Sequence, residues 1–329
     1  MGKRILTGLK PTGELHLGNY FGAIQQIVAM QEGGEEVFLF VADLHALTGL
    51  SDREVHRRDE QEQLFSTFVR SFTALGIDPN RVMIYRQSDF PQITELAWIF
   101  ACMVKMPFLT IGHAYKDAVQ KGSEPSVGTF LYPALMAADI LLPDAAVVPV
   151  GKDQVQHIEI TREFARRFHR LTGTDYFTEP EERAEDQMTV PGIDGEKMSK
   201  SYRNTIPIFG SEEVIRQQIQ SIKTDSTPAG EPIDPATCLI CTYLKLMLSE
   251  KEYLAREDQC RSGGVTYKEL KDQLADAYLA YFAKAREQYQ KTEGDGEYVD
   301  RILEKNRDTL NTLFSDRLHE AKRLLGLVS

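Results

Sequence analysis

Four short apolar runs punctuate the first half of the chain, with amphipathic stretches between them. The run Arg4 to Gly8 has the character of a buried parallel strand, and it turns through Lys10-Pro11-Thr12-Gly13 into an amphipathic stretch from Asn19 to Met30. That reads as strand, glycine-bearing turn, helix. Strand-like runs recur at Val37–Ala42, Val82–Tyr85 and Val147–Val150, and helical spacing fills Arg53–Leu75 and Ile158–Arg170. Alternation of this kind predicts an α/β fold with a doubly wound, mostly parallel sheet, helices on both faces, and a ligand crevice at the carboxyl ends of the strands.

Between Phe90 and Asp139 about fifty residues read as helices plus a polar loop, Lys116 to Ser126, an insertion between the two halves of the sheet. After Asn204 the strand signals fade. Helical periodicity then covers Glu212–Lys223, Ala236–Leu248, Glu250–Gln259, Tyr267–Gln288 and Val299–Leu325, with loops near Thr227–Pro235 and Thr292–Glu297. The expected organisation is therefore an α/β domain over 1–204 with its insertion at about 90–139, an all-helical domain over 205–298, and a last helical segment, 299–329. No internal repeat or low-complexity tract is visible.

A length of 329 residues suits two domains, and 42% hydrophobic residues suffice for a sizeable core. No stretch approaches the roughly 18 continuous apolar residues of a membrane span, and Met1 to Leu6 runs into a strand rather than an export signal, so a cytoplasmic protein without a membrane partner is expected. The net charge of −11 argues against a chain coated in basic residues but leaves room for a local basic stripe that would meet nucleic acid. Cys102, Cys238, Cys241 and Cys260 are few for this length and read as reduced thiols.

Two segments carry chemistry. His16-Leu17-Gly18-Asn19 stands where the first turn enters its helix, so free backbone N–H groups and the positive helix end face the crevice, and Gly18 leaves room for a flat group to approach. Taken alone, it is also an ordinary helix start. Lys197-Met198-Ser199-Lys200-Ser201 follows a Pro-Gly-rich approach, Pro191 to Gly195; two lysines three apart, framed by hydroxyls, can wrap a triphosphate. Alone, that too is commonly a solvated loop. Their order, at opposite ends of one α/β region, is harder to set aside.

This pairing resembles the HIGH and KMSKS signatures of class I aminoacyl-tRNA synthetases. Leu131 to Leu142 (LYPALMAADILL), Val147 to Phe168 (VVPVGKDQVQHIEITREFARRF), Asp43 to Thr48 (DLHALT) and Lys10 to Ala23 (KPTGELHLGNYFGA) resemble the bacterial tryptophanyl branch, from the first strand to the last helix. The resemblance implies a Rossmann-like catalytic domain of the HUP type and ligation of tryptophan to tRNA(Trp). ATP would be consumed, with Mg²⁺ as cofactor, through tryptophanyl-adenylate, in a homodimer that does not act on DNA.

By family position Asp139 would accept the indole N–H, with Leu6, His45, Tyr132, Met136, Val148, Val150 and Gln154 lining or closing the pocket. A buried carboxylate suits a donor-only indole. ATP would meet Lys10, Pro11, Thr12, His16, Gly18 and Asn19, then Gly151, Lys152 and Asp153, and the loop Lys197, Met198, Ser199, Lys200 and Ser201. Lys116 aligns with a further phosphate-contacting lysine. Lys197, Lys200 and Lys116 would neutralise charge on the leaving diphosphate, so catalysis is positioning plus electrostatics. Leu6, Ala42, Leu44 and Lys152 depart from residues common in relatives (Phe, Val, Gln and Glu). The first two changes could widen the tryptophan pocket, while Lys10 and Lys152 add positive charge near the nucleotide.

The nearest rival is a tyrosine–tRNA ligase, which would carry a tyrosine-and-aspartate pair for the phenol and, in most bacteria, a KFGKS-like loop. A paralogue without catalysis would not be expected to keep both signatures. A cofactor-making nucleotidyltransferase would usually stop soon after the phosphate loop, where roughly 125 residues follow here. Some relatives hold a four-cysteine iron–sulfur site in the helical domain. No CxxC follows Cys260, so Cys238 and Cys241 read as packed helix thiols.

Overall fold

Five parallel strands form one sheet in the order β3-β2-β1-β4-β5. They are β1 (Arg4–Leu9), β2 (Glu36–Val41), β3 (Val82–Arg86), β4 (Val147–Val150) and β5 (Glu181–Ala184). The computed structural model describes residues 3–11, 14–48, 58–110, 112–120, 122, 124–150, 155–184 and 189–329. Chain order reverses between β1 and β4, so the switch point, and the crevice that goes with it, lies at their carboxyl ends.

Side-chain alternation builds two apolar layers from the same strands. Ile5, Val37, Leu39 and Val41 enter one cluster, and Leu6, Phe38 and Phe40 enter the other. The first face is covered by α1 (Leu17–Asn19), a π-helical turn (Tyr20–Ile24), α2 (Gln25–Glu32) and α4 (Arg58–Ala74). On α4, Phe65, Phe68, Val69 and Phe72 recur at helical spacing and are buried. Between β2 and α4 stands a single turn, α3 (Asp43–Ala46).

The segment between β3 and β4 supplies the second face: α5 (Pro91–Met103), α6 (Met106–Leu109), α7 (His113–Gln120) and α8 (Val127–Leu141). α9 (Val155–Thr172) joins them through Phe164, Ala165 and Phe168. After β5 come α10 (Glu212–Gln220), α11 (Leu239–Met247), α12 (Glu250–Arg261), α13 (Tyr267–Tyr281), α14 (Ala283–Glu293) and α15 (Tyr298–Leu324). Ile215, Tyr243, Leu274 and Tyr278 of this helical half share the first cluster with Ile24 and Phe72, so no solvent layer separates it from the sheet. α15 lays Leu310, Phe314, Leu318 and Ala321 into the second cluster beside Tyr85 and Phe90. Among the described residues no helix is long and apolar enough to cross a membrane.

Three local readings change. The polar run from Lys116 is helical as far as Gln120, within α7. The continuous helix over Tyr267–Gln288 is two, broken at Phe282. A fifth strand, β5, is present where none was expected.

Candidate active site at the carboxyl edge of the sheet

The turn after β1 is fixed by the other signature. Leu17 N–H donates to Ile206 O at 3.1 Å and Ile208 N–H to Leu15 O at 3.2 Å, so the strand-like stretch through His16 pairs antiparallel with the chain just past residue 201. Asn19 Oδ1 accepts the His16 N–H at 3.1 Å, closing the helix start. Gly18 N–H points at Met198 Sδ, 3.3 Å away, and a Cβ on Gly18 would already press on the His16 ring and the Met198 side chain. Residues 180 positions apart are therefore in direct contact.

The loop with the two lysines is held from behind. Pro191 and Lys197 form an antiparallel bridge, with Gly195 turning the hairpin at φ +91°. Asn204 is 1% exposed and clamps the loop: its Oδ1 accepts Ser199 N–H at 2.7 Å, and its Nδ2 donates to Asp194 Oδ1 at 2.8 Å and Lys197 O at 3.2 Å. A Cβ on Gly192 would overlap that amide, so the position has room only for glycine. From α11, Tyr243 Oη donates to Pro191 O at 2.7 Å.

Met198 is buried, Lys197 exposed and Lys200 half-buried. Burial brings the Lys200 ammonium down to about 8 against the opposing pull of Glu14. Burial, then the nearby Lys200 charge, takes His16 down to about 4, so its imidazole is neutral at pH 7. His16 Nδ1 is buried without a hydrogen-bond partner among the described residues.

A second constellation stands on α8, where Tyr132, Met136 and Asp139 share one helical face. Asp139 is 1% exposed. Gln87 Nε2, just past the end of β3, lies 2.8 and 2.9 Å from its two oxygens, and His45 Nε2 lies 2.8 Å from Oδ2. Burial pushes the carboxyl up; the hydrogen bonds from His45 and Gln87 pull the other way. The Tyr132 ring packs on His45 at 4.3 Å, and Lys10 Nζ sits 5.2 Å from that ring's centre. Lys10 thus ties the turn after β1 to the wall containing Asp139. Burial, then Asp139, raises the Tyr132 hydroxyl to about 12. Leu6 and Val148 are buried in the second cluster, with Met136 and Val150 packed against it.

Chain matches give this geometry a family. The family described as tRNA synthetases class I (W and Y) matches residues 3–283. The tryptophan–tRNA ligase of Fusobacterium nucleatum is 39% identical over 327 residues, spanning 99% of this chain and 98% of that one. The Campylobacter jejuni tryptophan–tRNA ligase is 41% identical over 325 residues, with 98% and 100% covered. The chain belongs to the tryptophan–tRNA ligases of class I. A solved tryptophanyl-tRNA synthetase of Campylobacter jejuni, complexed with ADP and tryptophane, superposes with a TM-score of 0.90 at 41% identity, over 98% of this chain and 100% of that one.

Within this tryptophan–tRNA ligase, the described signature residues gather at one edge of the sheet, with Pro11 half-buried at the head of the turn. Lys116 is apart from these contacts: it is exposed on α7, and its side chain makes no hydrogen bond or ion pair among the described residues. Thr12, Gly151, Lys152, Asp153 and Gln154, and the side chain of Ser201, lie outside the described residues. Two residues were not anticipated from sequence, Gln87 and Asn204. Gln87 had a usable signal, a polar residue at the carboxyl end of a buried strand, the edge where ligands bind. Asn204 had none.

Proposed function

We propose that this tryptophan–tRNA ligase selects its amino acid through Asp139 and activates it over the His16–Asn19 turn. The observation that carries the reading is the fully buried Asp139, an acceptor held in place by Gln87 and His45. An indole brings one N–H and no acceptor, so it completes such a site where phenylalanine would leave it short. Tyr132, Met136, Leu6, Val148, Val150 and, beyond the described residues, Gln154 form the rest of the pocket.

Mg²⁺ would accompany ATP and supply neutralisation of charge on the phosphates, with no side chain of this protein assigned to hold it. Gly18 lets the adenosine approach the backbone, and neutral His16 offers Nδ1 as a hydrogen-bonding atom. Lys10, Pro11, Thr12, Asn19, Gly151, Lys152 and Asp153 complete the nucleotide site. A tryptophan carboxylate oxygen attacks the α-phosphorus, the bond to the bridging oxygen breaks, and diphosphate leaves onto Lys197, Lys200, Ser199 and Ser201, with Lys116 reaching in from α7. A terminal ribose hydroxyl of tRNA(Trp), expected to be the 2′-hydroxyl, then takes the tryptophanyl group and AMP departs.

Residues 1–204 serve as the catalytic unit, 205–298 engage the anticodon end and 299–329 close back on the catalytic unit. Tryptophan ligation to tRNA supports a cytoplasmic location. Trp98, Met106 and Val127 expose large apolar surface on the insertion, which supports a homodimer formed there. The deciding experiment is pyrophosphate exchange with each of the twenty amino acids. Exchange with tryptophan alone is expected; exchange with tyrosine instead would sink the assignment, and none would indicate a protein without activity.

Two further outcomes follow from this geometry. Gln87→Leu removes the amide that reaches both Asp139 oxygens, so the KM for tryptophan should rise about tenfold, the order set by losing one hydrogen bond to a charged group. An unchanged tryptophan KM, or an equal rise for ATP, would show that Gln87 does not act through Asp139. The second concerns pH. The Lys200 ammonium is charged below about 8 and loses its proton as pH rises through that value. The kcat/KM for ATP should therefore decline above about pH 8, approaching tenfold per unit. Lys200→Arg, charged throughout, should move the decline upward. A profile level to pH 9.5 in the unmodified enzyme would contradict the role of that charge.

A further inference from the structure

Three of the four cysteines lie together, away from the catalytic edge. Cys238 caps the start of α11, Cys241 lies in its first turn, and Cys260 ends α12 opposite. All three are buried, and the Cys241 and Cys260 sulfurs are 3.6 Å apart. Among the described residues no group of three or more His, Cys, Asp or Glu is arranged to hold a metal ion.

We infer that these three thiols form a peroxide-reactive site in which oxidation joins Cys241 to Cys260 by a reversible disulfide. Cys238 stands at the start of α11, where the helix end favours negative charge; Cys241 is the largest of the influences that hold its thiol below the ordinary range despite burial, and it lowers Cys260 as well. Donors at a helix N-terminus favour thiolate, the reactive form. Cys241, between two sulfurs, goes the other way and keeps its proton. The Cys241 and Cys260 sulfurs need to close by roughly 1.5 Å to reach bonding distance, a side-chain movement rather than a refolding.

The chemistry balances with a hydroperoxide as oxidant. Cys238 thiolate attacks one peroxide oxygen, the O–O bond breaks, and hydroxide or alkoxide leaves, giving a sulfenic acid. The Cys241 sulfur attacks that sulfur, expelling the oxygen as water with the thiol proton. Cys260 then displaces Cys238 from Cys241 by thiol–disulfide exchange and returns a proton to it. Two thiols and one peroxide become one disulfide, water and the reduced peroxide. Burial selects the oxidant: hydrogen peroxide, close to water in size, can reach the cluster, whereas a bulky disulfide would meet closed protein. The site also has a route to the active centre. Tyr243, two residues beyond Cys241, holds Pro191 at the base of the lysine loop, and Leu239 packs on Gly195 of the same hairpin.

The test uses the full-length protein treated with a few equivalents of hydrogen peroxide, alkylated in denaturant and digested with trypsin. Cys238 and Cys241 fall in one peptide, so fragmentation between them must assign the partner of Cys260. A Cys241–Cys260 link that disappears on reduction, while exposed Cys102 stays alkylated or oxidises independently, is the expected result. Cys238→Ser should slow its formation about tenfold or more, as expected for loss of a thiolate nucleophile. Cys102→Ser should leave it unchanged. Should Cys238→Ser fold poorly, the wild-type rate rising from pH 6 to pH 8 reports the same thiolate. Full alkylation of Cys241 and Cys260 after peroxide, or their conversion to sulfinic acid without a link, overturns the site. An unchanged rate in folded Cys238→Ser overturns the initiating step.

Discussion

Lys200→Ala is expected to slow tryptophanyl-adenylate formation by about 10²–10³-fold while leaving equilibrium binding of tryptophan within about twofold, the pattern of an interaction made with charge that develops in the transition state. The structure separates the two lysines of the loop. Lys197 is exposed beside its bridge to Pro191, whereas Lys200 is half-buried in the short turn after Met198, close to His16 and Glu14. A charge partly removed from water acts more strongly on a phosphate than one fully solvated. The loop that carries it is fastened through Asn204, so little ordering remains to be done when diphosphate begins to leave. Lys197→Ala should accordingly cost less than Lys200→Ala. Single-turnover adenylate formation, set against calorimetric binding of tryptophan, distinguishes the cases; parallel losses in rate and in tryptophan affinity would remove Lys200 from the transition state.

Much of this arrangement can be read from residue order, and the exceptions have physical causes. β1 to β4 announce themselves because parallel strands covered on both faces must be apolar on both, as Ile5 and Leu6 or Val37 and Phe38 are. β5 is Glu-Glu-Arg-Ala, an edge strand paired on one side only, and it has no such pattern. Ion pairs support it instead, Lys3 with Glu181 at 2.6 Å and Arg162 with Glu182. The break between α13 and α14 is equally silent: Phe282 keeps the apolar spacing and is buried, while its backbone leaves the helical region. Motif spacing carried His16, Gly18 and the lysine loop because neighbours in sequence act together there. Gln87 and Asn204 act alone. The partner of Gln87 stands 52 residues away, and two of the groups Asn204 grips, Ser199 N–H and Lys197 O, are backbone groups that leave no trace in side-chain type.

Asp139→Asn is expected to reduce kcat/KM for tryptophan by about 10²-fold, and to erode most of a preference over phenylalanine that sites of this kind set at roughly 10⁴–10⁵. Lone pairs decide the outcome. In the unmodified protein both carboxylate oxygens accept, from Gln87 on each and from His45 on one, and an ionised carboxylate has capacity left for an indole N–H. Asparagine keeps the shape and replaces one oxygen with an NH₂ group, so three donors compete for a single acceptor while a fourth donor faces them. One N–H must remain unpaired in a site buried as Asp139 is, whichever way the amide turns. Tryptophan binding therefore loses its hydrogen bond, or the Gln87–His45 support loses one of its own. Phenylalanine, having no donor, should lose little, and the ratio of the two kcat/KM values reports the difference. A purely structural role would lower the melting temperature and leave that ratio where it was; a ratio unmoved in folded protein would therefore separate Asp139 from the choice of amino acid.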